Sequence, residues 1–255
     1  MIISPDKVIS VAFREEGYLE KSKAAYSKDK DIVYEKSLGA GSDNITKYGI
    51  QMHSRYPQTM DLNAAWCDCF VDWCFAEAYG IDKAKELLCG RFDDYTVASA
   101  QLFKNAKRWI TKNPVPGDQV FFKNEKRICH TGLVYKVDKR YFYTIEGNTS
   151  NKGILVINGG CVAKKKYPIA YYNVAGFGRP KYDVPATCIY EDRNEDVKKM
   201  QTLLMAKGYT LPRYGADGDF GSETLKVVKQ FRVDNNLPIG STFDEMCWIK
   251  LLNKE

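Results

Sequence analysis

The sequence predicts an α+β fold followed by a small three-helix unit, and three observations carry that reading. Helical periodicity marks residues 5–18, 64–79, 82–88 and 97–110, with a polar, loop-like stretch up to residue 63. Turn chemistry at Pro114-Val115-Pro116-Gly117-Asp118 then opens a series of strand-like runs, and helical period returns over residues 193–255. Helices first and strands second is the order of an α+β domain, not of alternating βαβ units.

A short helix is expected over 5–18, where Val8, Val11 and Ala12 recur at helical spacing. The stretch to residue 63 is polar, and Leu38-Gly39-Ala40-Gly41-Ser42-Asp43-Asn44 marks a loop. Tyr26, Tyr34, Tyr48 and Tyr56 either pack that stretch down or line a groove. Over 64–79 the pattern is helical. Cys67, Phe70, Val71, Cys74 and Ala78 share one face, Asp68, Asp72 and Tyr79 another, and Gly80 is a natural stop. Further helices are expected over 82–88 and 97–110. Strands are expected over 119–122, 130–137, 141–146, 154–157 and 169–174, and their short connections favour antiparallel pairing.

Arg179-Pro180 and Val184-Pro185 interrupt regular structure, which places a linker over 181–192 between units of 1–180 and 193–255. In the second unit Val197, Met200 and Leu204 form one stripe, ending at Gly208. Leu225, Val228 and Phe231 form another after Gly221-Ser222. Met246 and Ile249 lie in a third, which Ser241 or Thr242 can cap.

With 44% hydrophobic and 27% charged residues the chain has the composition of a folded domain, not of a disordered one. No apolar run approaches the roughly 20 residues of a membrane span, so no membrane insertion is expected. The net charge of +6 fits plain solubility or attraction to a polyanion. No basic and aromatic block of a nucleic-acid module accompanies it, so no nucleic acid is expected, whereas an anionic wall polymer fits equally well. The eight cysteines lack a paired Cys-x-x-Cys pattern. On a helix Cys67 and Cys69 point about 200° apart and cannot share one ion, so no metal or other cofactor is expected. Cys74, Cys89, Cys161, Cys188 and Cys247 read as small buried hydrophobes in a reducing compartment.

The chemistry centres on Cys67, in Ala65-Trp66-Cys67-Asp68-Cys69-Phe70. A thiol acts as a nucleophile when a base or a positive environment makes the thiolate available. The chain has only two histidines. His53 sits in a loop-like stretch with no strand or helix to position it, whereas His130 opens a strand. At the first turn of its helix Cys67 meets unpaired backbone N–H groups that stabilise a thiolate. An imidazole in the partner role needs a third group to fix its ring. Glu146 on the next strand can meet His130 across the sheet, and Asn148, two residues on, projects to the same side if the strand continues. Gly147 would keep the backbone open there. Taken singly, each of these residues has an ordinary structural explanation; their joint order is the signal.

Trp66-Cys67-x-x-Phe70-Val71-x-Trp73-Cys74, His130-Thr131-Gly132-Leu133-Val134, Glu146-Gly147-Asn148 and Pro116-Gly117-Asp118 resemble the CHAP family of cysteine- and histidine-dependent amidohydrolases/peptidases. The resemblance covers about residues 1–180. It implies a papain-like domain with an antiparallel sheet, cleavage of peptidoglycan amide bonds, Cys67 as nucleophile, His130 as base, and Glu146 and Asn148 as supporting polar residues. Cys69 departs from that pattern. Some members bind calcium through an acidic loop before the nucleophile; here that stretch offers only Asp61, so no ion is expected. Val197-x-x-x-Gln201-x-x-Leu204, Lys207-Gly208-Tyr209, Asp217-Gly218-Asp219-Phe220-Gly221-x-x-Thr224 and Phe231 are similar to a three-helix peptidoglycan-binding domain, with Phe231-Arg232 where Phe-Gln is usual. There, glycan contacts are expected around the loop 217–221.

Together these imply a cell-wall hydrolase, an N-acetylmuramoyl-L-alanine amidase or a peptide endopeptidase, whose partner is bacterial peptidoglycan. A papain-like acyltransferase or a non-catalytic wall-binding protein are the alternatives. The N-terminus lacks the features of a cleaved signal peptide. That fits a phage endolysin made in the cytoplasm and acting on the wall after release, with a host autolysin as the other origin. Oligomeric state is not read from the sequence.

Overall fold

The helix carrying Cys67 is buried almost all round, and the elements before and after it pack onto it. The computed structural model describes residues 2–151, 155 and 158–253. The helices before the strands are α1 (Pro5–Arg14), α2 (Lys23–Lys28), α3 (Lys47–Arg55), α4 (Cys67–Tyr79), α5 (Ile81–Leu87) and α6 (Thr96–Asn105). The strands are β1 (Trp109–Ile110), β2 (Gln119–Lys123), β3 (Ile128–Val137), β4 (Tyr141–Thr149), β5 (Cys161–Pro168) and β6 (Val174–Gly178). They form one antiparallel sheet in the order β1-β6-β2-β3-β4-β5. Helices α7 (Glu195–Ala206), α8 (Ser222–Asp234) and α9 (Glu245–Leu252) follow. No helix among the described residues is long and apolar enough to cross a membrane.

Strand alternation divides the core. Phe121, Leu133, Ile145 and Val162 face the helices and join the cluster of Val8, Phe70, Val71 and Phe75. Val120, Phe122, Val134, Phe142, Tyr167 and Phe177 make a second cluster on the opposite face. A third core belongs to the C-terminal helices, with Val197, Leu204, Phe231 and Trp248 at its centre. Leu225 only partly joins it.

The expected two-faced helix over 64–79 differs from α4. Asp68 and Asp72, placed on a polar face by the sequence pattern, are buried with the rest. Gln119 and the backbone N–H of Asp93 supply them with hydrogen bonds, and burial pushes both carboxyls up.

Several other elements differ from expectation. The polar stretch before residue 64 holds α2, a 3-10 turn (Lys30–Tyr34) and α3. Thr46 caps α3 by accepting from the Gly49 N–H at 3.0 Å, and Tyr48 and Met52, four apart, bury its inner face. Two apolar contacts are too few to show a helical period. His53 therefore sits on a helix, not in a loop, and its Nδ1 lies 2.6 Å from the Met60 carbonyl oxygen.

Helix α6 ends at Asn105, and Trp109–Ile110 pairs with β6 instead. Of the strand expected over 169–174, residues 169–173 are the turn between β5 and β6, and only Val174 is in a strand, as the first residue of β6. Strand β5 went unread because Lys164-Lys165-Lys166 looks like a charge block. In fact Lys165 is buried while Lys164 and Lys166 point outward from a sheet edge, where lysine discourages further pairing. Of the strand expected over 154–157, Ile154, Val156 and Ile157 lie outside the described residues.

Neither Ser241 nor Thr242 caps the last helix; Asp244 does, accepting from the Cys247 N–H at 3.1 Å. Cys89 is only partly buried, unlike Cys74, Cys161, Cys188 and Cys247, which are buried. The stretch 181–192 is packed down. Val184, Ala186 and Cys188 are buried, Asp183 accepts from the Ile3 N–H at 2.9 Å, and the Thr187 hydroxyl donates to Asp6 at 2.7 Å.

Phe70 lies where α3, α4 and β4 converge: it is fully buried, touches Tyr48 and Trp66, and sits under Gly147. Phe70→Ala is expected to cost about 3–5 kcal/mol of stability, read as a lowered midpoint of urea unfolding.

Candidate active site

Helix α4 begins at Cys67, with Trp66 at the N-cap position and no side chain capping the first turn. The first N–H groups of a helix have no intrahelical acceptor, so this thiol stands at an electropositive end. Trp66 is held by its indole N–H, which donates to Glu20 Oε2 at 2.8 Å, and by packing on Tyr48. Glu20 is buried and lies in the stretch the sequence shows only as polar loop, so no pattern pointed to it.

His130 on β3 has no exposed surface, and its Nε2 lies 3.0 Å from Glu146 Oε2 on β4. The two are not directly opposite. Leu133 pairs with Ile145, which puts Gly132 beside Glu146 and leaves His130 diagonal to it. A Cβ on Gly132 would lie 2.5 Å from Glu146 Cγ. Glycine there lets the carboxylate lean across to the imidazole. Thr144 and Tyr167 also donate to Glu146, the tyrosine to Oε2 at 3.3 Å. Burial and the Glu146 charge push the Tyr167 hydroxyl up, so it stays a donor. Phe122, directly across from His130, stacks on its ring at 5.9 Å.

With Nε2 engaged by Glu146, Nδ1 is the ring nitrogen left for Cys67. Nδ1 makes no hydrogen bond of good geometry among the described residues. Burial disfavours a charged imidazole, but the proximity of Cys67 and then of Glu146 outweighs it and raises His130 to about 10. Cys69 differs from its neighbour. Burial and the nearby Asp72, Asp94 and Asp68 push its thiol well up, which keeps it protonated and unreactive.

Asn148 is buried, but among the described residues it makes no hydrogen bond to His130. The β4–β5 register shifts between Glu146 and Thr149, and Asn148 takes a left-handed φ of 52°. That breaks the strand alternation expected of it. Its Oδ1 accepts from the Gly160 N–H at 3.4 Å, and its Nδ2 has no partner among the described residues. Gly147 is tightly packed, not open: a Cβ there would lie 2.6 Å from Phe70 Cβ and 2.8 Å from the Trp66 ring. Asp118 of the Pro-Gly-Asp turn serves the fold, accepting two bonds from Arg179 at 2.9 and 2.8 Å.

In the C-terminal helices Gln201 organises the expected contact loop. It donates to Asp217 Oδ1 and the Asp219 carbonyl, both at 3.0 Å, and accepts from the Gly218 N–H at 2.7 Å. A surface cavity of about 420 Å³ opens beside that loop, bordered by Arg193, Tyr214, Asp217, Asp219 and Glu223. Arg232 is buried, donating to the Pro238 and Thr242 carbonyls and to Asp244.

Two outcomes follow from this geometry. Because the folded state raises His130 above its free value of about 6.5, its contribution to stability is full below that pH. It is lost as pH rises toward about 10. NMR titration of His130 should show the raised midpoint, and Cys67→Ala should lower it. Gly132→Ala should displace the Glu146 carboxylate from the imidazole and lower the His130 midpoint, because Glu146 is one of the groups that raise it. The same NMR titration checks it.

Comparison with known families covers both parts of the chain. Residues 58–148, which include Cys67, His130, Glu146 and Asn148, match the CHAP domain, and residues 193–241 match a peptidoglycan binding domain. A 32-residue stretch is 59% identical to the "Probable N-acetylmuramoyl-L-alanine amidase" of Bacillus licheniformis. It spans 12% of this chain and only 9% of that protein. The chain thus joins a CHAP domain, over residues 58–148, to a peptidoglycan-binding domain, over residues 193–241.

Proposed function

We propose that this protein is a peptidoglycan hydrolase that cleaves an amide bond of the wall by a Cys–His mechanism. The observation that carries the reading is the buried His130–Glu146 pair acting on Cys67 at the open end of α4. Residues 1–180 form the catalytic unit, 181–192 join it to the rest, and 193–255 hold the enzyme on its insoluble substrate.

In this mechanism Cys67 Sγ attacks the amide carbonyl carbon. The Cys67 backbone N–H receives the developing oxyanion, and Asn148 Nδ2, a buried donor with no partner among the described residues, serves the bound substrate. Collapse breaks the C–N bond as the imidazolium proton passes to the leaving nitrogen, giving a thioester and a free amine. His130 then takes a proton from water, whose oxygen attacks the thioester; Cys67 departs as thiolate, and His130 keeps the proton for the next turnover. Glu146 holds the ring through both steps.

The printed name of the Bacillus relative favours the muramoyl-L-alanine amide as the scissile bond, though endopeptidase cleavage uses the same groups. A hydrolase and a wall-binding module in one chain also fit an endolysin-type role. Cys67→Ala is expected to abolish lysis of purified walls while sedimenting with them as the unaltered protein does. Lysis by the variant would remove the thiol from the mechanism. Mass spectrometry of the digest then identifies the bond: free intact stem peptides mark an amidase, split stems or cross-links an endopeptidase.

A further inference from the structure

We propose that Gln119 is a positioning residue that fixes the separation of Cys67 and His130, acting through Asp68 and Thr131. The inference rests on the catalytic reading above. The Gln119 carboxamide nitrogen has two hydrogens and uses both: Nε2 donates to Asp68 Oδ1 at 2.8 Å and to Thr131 Oγ1 at 3.1 Å. Asp68 follows Cys67 in α4, and Thr131 follows His130 in β3. One side chain on β2 therefore bonds the sequence neighbours of both reacting groups.

The tie is rigid at each end. Thr131 donates its own hydroxyl proton to the Val120 carbonyl at 2.7 Å, so Oγ1 is oriented to receive Gln119. The Ser99 hydroxyl lies near the Asp68 carboxyl and helps to hold it, but Oδ2 meets no donor of hydrogen-bonding geometry among the described residues, so the bond from Gln119 to Oδ1 is the tie whose distance and angle are met. Gln119, Asp68 and Thr131 are each at most 1% exposed, so water does not compete for these bonds.

Alternation explains why a tie on this side matters. Gln119 pairs with Leu133, and Thr131 with Phe121, on the sheet face that packs against the helices. His130 and Phe122 occupy the other face. His130 is thus placed relative to Cys67 by where the β3 backbone lies against the first turn of α4. Around the strut the core between helix and sheet includes Phe70, Val71 and Leu133, and apolar contact has no preferred direction. Hydrogen bonds have strict distance and angle demands, so the strut sets the register that the oily contact leaves loose.

Gln119→Met keeps the length of the side chain and removes its donor; Thr131→Val keeps the shape and removes the hydroxyl; Thr131→Ser restores the hydroxyl. Three readouts are taken on the full chain: kcat and KM on soluble wall fragments, the pH profile of Cys67 alkylation by iodoacetamide with the modified peptide located by mass spectrometry, and thermal unfolding. Gln119→Met and Thr131→Val are expected to lower kcat about tenfold or more with KM little changed, and to shift the alkylation midpoint. Thr131→Ser should return both toward the unaltered protein. If the variants lose thermal stability but keep kcat and the alkylation profile, the network serves only the fold and the proposal falls. Should Gln119→Met fail to fold, the Val and Ser variants at Thr131 decide it. A Cys67→Ala protein that still lyses walls sinks the catalytic reading itself; an inactive Cys67→Ala beside a fully active Gln119→Met sinks only the strut.

Discussion

A histidine and a glutamate side chain with no exposed surface are tolerated only where neighbouring groups replace the water they have lost. That demand at His130 and Glu146 accounts for much of what surrounds them. Glu146 receives Thr144 and Tyr167 as well as His130, so its oxygens are supplied with donors inside the sheet. Gly132 stands where any side chain would block the carboxylate, and Phe122 covers one face of the ring. Cys67 faces what is left of the imidazole. Remove the pair, and these neighbours have no common reason to be as they are.

The helix bearing the thiol is fitted with similar closeness. Gly147 lets β4 approach the Phe70 and Trp66 side chains, Glu20 holds the Trp66 indole, and Gln119 reaches Asp68 one residue past the thiol. A helix buried on nearly every side has little freedom to slide, because close-packed interiors transmit a displacement and do not absorb it. Buried polar groups such as Asp68 and Asp72 are tolerated there because strand and loop donors reach them.

The C-terminal helices apply the same economy to a loop. Gln201 is a single buried carboxamide bonding to Asp217, Asp219, Gly218 and Thr224, and it shapes a turn without regular structure of its own. Contacts also tie this part to the sheet. The Arg193 N–H donates to the Val137 carbonyl at 3.0 Å, and the Trp248 indole donates to the Ala186 carbonyl at 2.9 Å in the connecting stretch.

Periodicity and turn chemistry made α1, α4, the strands β2 to β4 and the C-terminal helical stripes readable, because each carries several apolar residues at one spacing. Motif order brought Cys67, His130 and Glu146 forward as a group. Helix α3 and strand β5 stayed hidden, the first because only Tyr48 and Met52 mark its buried face, the second because the buried Lys165 looks like its exposed neighbours. The sequence by itself determined which residue types were available for the chemistry and the order of the elements that bear them, since both are properties of the chain read locally. Tertiary structure alone decided that Asn148 bonds to Gly160 and not to His130, that Thr144, Tyr167 and Glu20 complete the site, and that Gln119 bridges helix and strand. Those contacts join residues distant in sequence through directional bonds, and no spacing along the chain encodes the angle at which two packed elements meet.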